Sequence, residues 1–201
     1  MYVLTVDQRG SRRTSDRVDG LLAALGSNPA AYVRGFERTA GDELQGVLDD
    51  PPTVVDLVLR LVRDNAWSVG VGVGPVNEPL PESTRAGSGG AFNRARDAVT
   101  RAKSRPTGLA VTGGYPAADA RRAQTALDLL AAVVARRSDR GWEAVDLAAE
   151  GLTQIEVADR LGVSKQAVSQ RLQAAGWHLE PDGRALASHL LSLADGRVSG
   201  S

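Results

Sequence analysis

Apolar positions along this chain follow two periods, and they switch between those periods several times before residue 117 and no longer after it. Residues 2–7, YVLTVD, are a short apolar run ending in a polar turn, the pattern of a buried strand. Between Ser15 and Leu25 the apolar residues fall at 18, 21, 22 and 25, which is helical spacing, and Gly26 to Pro29 ends the run. GFERTAGDELQGVL, residues 35–48, alternates on both sides of Ala40-Gly41-Asp42 and predicts a tight hairpin. Pro51 and Pro52 open a helix to about Asp64, with Val54, Val55, Val58, Leu61 and Val62 on one face. WSVGVGVGPV, residues 67–76, predicts a strand whose glycines suit close packing under a helix. A Pro/Gly/Ser-rich loop over 77–90 leads to a helix over 91–103, a strand over 107–114 and a long alanine-rich helix from Ala117 to about Arg137. The order β-α-β-β-α-β-α-β-α predicts an α/β sandwich on a mixed sheet, in its simplest form a ferredoxin-like core. Only helices follow, so residues 1–137 and 141–201 are expected to be separate domains, the second all-α.

Composition narrows the chemistry. With 201 residues, 42% hydrophobic and 24% charged, the chain is ordinary globular material. It has no cysteine, which excludes disulfides, thiol catalysis and Cys-type zinc clusters. Its two histidines are His178 and His189. No run of eighteen apolar residues is present, so no membrane partner is expected. The first apolar stretch precedes its charges, the reverse of a secretory signal, and a cytoplasmic protein is expected. Net charge is zero, and residues 141–201 hold 5 basic and 8 acidic side chains. Any DNA affinity must therefore come from a few placed groups and from pairing into a homodimer.

Those groups stand in LTQIEVADRLGVSKQAVSQRLQAAGW, residues 152–177. Thr153 is placed to cap a first helix, with Glu156 three residues on to complete a capping box. Gly162 suits a left-handed turn, and Ser164 caps a second helix. Val157, Leu161, Val163, Val168 and Leu172 form the apolar set between the two helices. Lys165, Gln166, Ser169 and Gln170 are left outward, side chains of the kind that read base edges in the major groove. Arg171 and the cap at Ser164 are placed for phosphates. This pattern resembles the helix-turn-helix of sigma-factor region 4 and LuxR-type regulators over about 25 residues, which implies double-stranded DNA as partner.

Three pieces mark the N-terminal region: VDQRGSRR at 6–13, TAGDELQ at 39–45 and GSGGAFNRARDA at 87–98. Asp7 and Asp42 both fall at strand ends. Gly10 and Ser11 can offer backbone N–H groups to a phosphate, with Arg9, Arg12 and Arg13 beside them. The arrangement resembles class III nucleotide cyclases and the related GGDEF palm domains, where one aspartate ends the first strand and another follows a glycine at a hairpin. That resemblance implies a metal site at Asp7 and Asp42, a nucleotide-type ligand at Arg9, Gly10, Ser11, Arg12, Gly41 and Asn93, and Mg²⁺ with the nucleotide as cofactor. Active cyclases carry an arginine four residues after the asparagine. This chain has Asp97, an acid that repels a triphosphate, so ligand binding is expected rather than catalysis. The blocks DQRGSRRTSDR, residues 7–17, and FERTAGDELQGVL, residues 36–48, resemble the SatD family over roughly residues 1–135.

Three readings of the whole stay open on sequence alone. One is a transcriptional regulator with a nucleotide-type sensor. Another is a metal-dependent cyclase or phosphoryl-transfer enzyme with an attached helix-turn-helix. The third is a constitutive DNA-binding protein with a degenerate dimerisation domain. The stripe Ala123, Ala126, Leu127, Leu130, Ala131 and Val134 on the long helix is the expected homodimer face.

Overall fold

Strand signals and helix signals alternate in the chain, and they fold into one sheet with helices on both faces. The computed structural model describes residues 1–11, 15–114 and 116–196. The strands are β1 (Tyr2–Gln8), β2 (Arg34–Ala40), β3 (Glu43–Leu48), β4 (Trp67–Val73) and β5 (Leu109–Thr112). The helices of the α/β part are α1 (Val18–Gly26), α2 (Pro51–Asp64), α3 (Gly90–Ala102) and α4 (Ala117–Ala135). After them come α5 (Asp139–Ala149), α6 (Gln154–Leu161), α7 (Lys165–Ala174) and α8 (Glu180–Ala194).

Sheet order is β2-β3-β1-β4-β5. The first four strands pair antiparallel throughout, and β5 joins β4 in parallel by way of α3. The mixed α/β sheet is therefore as the sequence pattern requires. The predicted strand over 67–76 stops at Val73, because Gly74 turns away at φ 144° while its N–H donates to the Met1 carbonyl.

The two sheet faces differ in depth. Tyr2, Leu4 and Val6 of β1, with Val69, Val71 and Val73 of β4, point into the main core beneath α1, α2, α4 and α8. Val3 and Val47 point the other way, towards α3. There the sheet presents Gly70 and Gly72, and the helix answers with Ala91, Ala95, Ala98 and Ala102, so the two backbones nearly touch.

The helical tail divides in a way that periodicity does not reveal. Helices α5, α6 and α7 share a core of their own, built on Val145, Val157, Ala158, Val168 and Leu172. Helix α8 leaves that triplet and packs on α4 and α2, burying Ala187 and Leu191 in the main core. The expected 141–201 unit is therefore corrected: its last helix belongs with the sheet. The α4 stripe is corrected as well. Ala123, Ala126, Leu127, Leu130, Ala131 and Val134 are all buried within the chain, in the core shared with α2 and α8, so this stripe cannot be a homodimer face. His189 on α8 is exposed. Among the described residues no helix is long and apolar enough to cross a membrane.

Candidate nucleic-acid interface and an anion cleft

Local chemistry at both ends of α6 and at the start of α7 sets the angle of the two helices. The Thr153 hydroxyl accepts from the Glu156 N–H at 3.4 Å, and the Glu156 carboxylate accepts from the Thr153 N–H at 2.7 Å, a closed capping box. The Thr153 N–H first, and then the Thr153 hydroxyl, which donates to the same carboxylate at 2.7 Å, hold the Glu156 carboxyl below its ordinary pKa. Gly162 ends α6 at φ 63°, a left-handed conformation with open space around it, so its need for glycine is conformational and not steric. The Ser164 hydroxyl then accepts from the Ala167 N–H at 3.2 Å and starts α7.

Val168 and Leu172 turn inward onto Val157 and Ala158. Lys165, Gln166, Ser169 and Gln170 are exposed, as is Ser164. At spacings of one, three and four they share one side of α7. Trp142 and Trp177 are partly buried and pack against the triplet core. Arg171 departs from expectation. It is only 21% exposed, and its guanidinium donates to Glu143 on α5 at 3.3 Å, so it braces the triplet before it can serve a phosphate. Arg160, at the end of α6, is exposed and has no ion-pair partner among the described residues. The sequence reading overlooked it because its position in the turn of the helix gave no sign of which way it points.

At the other site, Asp7, next to last in β1, lies on the α3 side of the sheet, directly opposite Glu43 in register. Its carboxylate accepts from Lys103 Nζ at 2.7 Å. Asp42 lies in the β2–β3 turn, and its carbonyl accepts from the Gln8 N–H at 3.3 Å. The two aspartates are thus on neighbouring strand ends, but they answer to different cations. Asp42 faces Arg38, whose pKa is pushed above its ordinary value first by the hydrogen bond to Asp16, with the charges of Asp16, Asp19 and Asp42 adding. Among the described residues no three His, Asp or Glu side chains gather as metal ligands. With an ammonium already on Asp7, the residues do not fit the Mg²⁺ site that the resemblance implies.

Asn93 is not brought to this place. Strand β4 runs antiparallel to β1, pairing Val73 with Tyr2 and Trp67 with Gln8. Ala91 and Ala95 sit over Gly72, and Val99 over Gly70. The start of α3 therefore lies at the Tyr2 end of the sheet and its C-terminus at the Asp7 end. Ten residues of helix, about 15 Å of rise, separate exposed Asn93 from Lys103. Asp97 is exposed on the same helix. Arg12 and Arg13 lie outside the described residues.

What does converge is a cleft of about 500 Å³ lined by Asp7, Arg9, Gly10, Ser68, Lys103 and Arg105. Three cations surround one carboxylate there. Arg105 is held by Asp128, and Arg9 donates to the Asn65 side chain at 3.2 Å. Gly10 stands at φ 66°, a position open to glycine at little strain. Ser11 follows it at the start of the β1–α1 connection. The arrangement suits an anion with several oxygens, such as a phosphate. Lys103 and Arg105 were missed by sequence reading because they follow α3, far along the chain from β1.

No family model, curated protein or solved structure matches this chain.

Proposed function

We propose that the protein is a cytoplasmic, DNA-binding transcriptional regulator whose α/β part binds a nucleotide-type ligand. The observation that carries the reading is the polar, exposed side of α7, supported by a closed three-helix core with capping groups at both helix starts. An ordinary buried hairpin has no use for an outward Lys165-Gln166 and Ser169-Gln170 face. In this reading α7 enters the major groove and the glutamines contact base edges, while Lys165, expected from sequence at the base edges, meets a phosphate in place of Arg171, which Glu143 holds. The protein works as a homodimer, since two half-sites compensate for a chain with no net charge. The α/β part is read as a ferredoxin-like core, supported by four antiparallel strands in the order β2-β3-β1-β4 with α1 and α2 on one face.

Fluorescence anisotropy with a duplex bound by the protein tests the interface. Gln166→Ala and Gln170→Ala should each remove about 1–3 kcal/mol of discrimination between sequences. Lys165→Ala should weaken all duplexes alike and reduce the salt slope by about 1. If all three variants bind like the parent, α7 is not the reader.

The ligand part rests on the cations around Asp7. Thermal melting with ADP, ATP, GTP and cyclic mono- and dinucleotides should show one ligand that stabilises the chain. At a hundred times its Kd the gain is about 2.7 kcal/mol, a shift of several degrees. Lys103→Ala should remove that shift. A panel with no shift at all contradicts a nucleotide-type ligand.

A further inference from the structure

We infer that a second cleft, between the α5–α7 triplet and the helices that cover the sheet, is a binding site for a flat aromatic monoanion such as an aryl carboxylate. The inference goes beyond the DNA reading and does not depend on it. The cleft has a volume of about 480 Å³. That lies within the roughly 300–1,000 Å³ typical of small-molecule sites, which favour junctions between packed units. Its floor is apolar, with Leu59 from α2, Val134 from α4, Val145 from α5 and Pro181 from α8. Two half-buried indoles, Trp142 and Trp177, also line it. An apolar floor with a few charged groups at its margin is what orients a small organic ligand.

Charge selects the ligand's sign. Three acids line the cleft, and each is already neutralised. Asp146 accepts from both terminal nitrogens of Arg63, at 2.6 and 2.7 Å. Asp56 is paired with Arg184, and Glu180 with Arg184 and Arg137. Arg60 lines the same cleft, is exposed, and makes no hydrogen bond or ion pair among the described residues. Arg60 stands at the margin of the cleft, where its charge also acts on Tyr32, and a guanidinium without an acid partner calls for one carboxylate, which it binds in a two-pronged pair. A polyphosphate would meet too few cations that are not already paired with an acid.

The aromatic preference comes from the indoles. Arg63 stacks on the Trp142 ring at 3.8 Å, and Arg137 stacks on it at 4.7 Å. Trp142 is thus engaged inside the protein. Trp177 carries no such stack among the described residues, and its indole is the one left for a ligand ring.

Calorimetry on the full chain with 2-naphthoate tests this, with the neutral 2-naphthalenemethanol as its isostere. One naphthoate should bind per chain, and the alcohol at least about tenfold more weakly, the difference a charged hydrogen-bonding pair makes. Arg60→Gln should lower naphthoate affinity about tenfold, and Arg60→Lys should restore part of it. Trp177→Phe should weaken binding several-fold with an unchanged circular dichroism spectrum. Lys103→Ala should leave it untouched, which separates this cleft from the one at Asp7. No binding at millimolar naphthoate overturns the inference, and so does binding that ignores Arg60→Gln.

Discussion

Gly72→Val is expected to leave the protein largely unfolded. A Cβ at this position would lie 2.1 Å from the Ala91 carbonyl oxygen and 2.3 Å from the Ala95 nitrogen. Both are backbone atoms of α3, so no side chain can swing aside and the whole helix must lift off β4. Ordinary overpacking costs about 1–3 kcal/mol. Displacing a helix along its length belongs to the rare class above about 4 kcal/mol, a large share of a domain's usual stability. Gly70→Val should act the same way, since its Cβ would sit 2.2 Å from the Val99 nitrogen. Gly20→Ala is the matched control. It lies in α1 with nothing within 4 Å, so it should stabilise by about 0.5–1 kcal/mol through helix propensity. Urea denaturation of the three variants reads all of this. A stable, cooperatively folded Gly72→Val would mean that α3 does not lie on bare strand backbone.

The second large effect belongs to Glu180. Arg137 is buried at the end of α4, with its side chain 1% exposed. It donates Nε to the Ala175 carbonyl at 2.9 Å and pairs with the buried Glu180 carboxylate at the start of α8. Its Nη1 has no hydrogen-bond partner among the described residues. One guanidinium thus ties together α4, the end of α7 and the start of α8. Glu180→Ala leaves that cation buried and uncompensated, a loss of about 3–5 kcal/mol. Replacing both residues by methionine should recover much of it, because an apolar pair of similar volume avoids burying charge. Chemical denaturation of Arg137→Met, Glu180→Met and the double variant gives the coupling directly. If Glu180→Ala costs less than about 1 kcal/mol, the pair is not the clamp described.

Much of the architecture was legible because local signals agreed with one another. Pro51-Pro52 after a strand run, Gly41-Asp42 inside an alternating stretch, and Thr153 with Glu156 each have a mechanism that works without knowledge of the fold. The bare face of 69–73 also indicated a helix lying close. What remained hidden was choice of partner. The α4 stripe showed that one face is buried, but not that α8 and α2 bury it. Helix α8 has an apolar side of its own, and periodicity cannot say which unit receives it. The same holds for the Asp7 site. Motif order put Asn93 in a cyclase-like series, but the end of α3 that approaches β1 depends on β4 running antiparallel to it. The antiparallel pairing brings Lys103 to Asp7 and carries Asn93 away. Arg171 looked free until the packing of α5 placed Glu143 beside it.

The central claim is that α7 reads duplex sequence. Selection of bound duplexes from a randomised library by the full chain, at a fixed salt concentration near 0.1 M, tests it most directly. The account predicts enrichment of one motif, as two related half-sites, and loss of that enrichment in Gln166→Ala/Gln170→Ala while melting temperature is unchanged. Recovery of a random pool by the parent protein, or the same motif from the double variant, would contradict it.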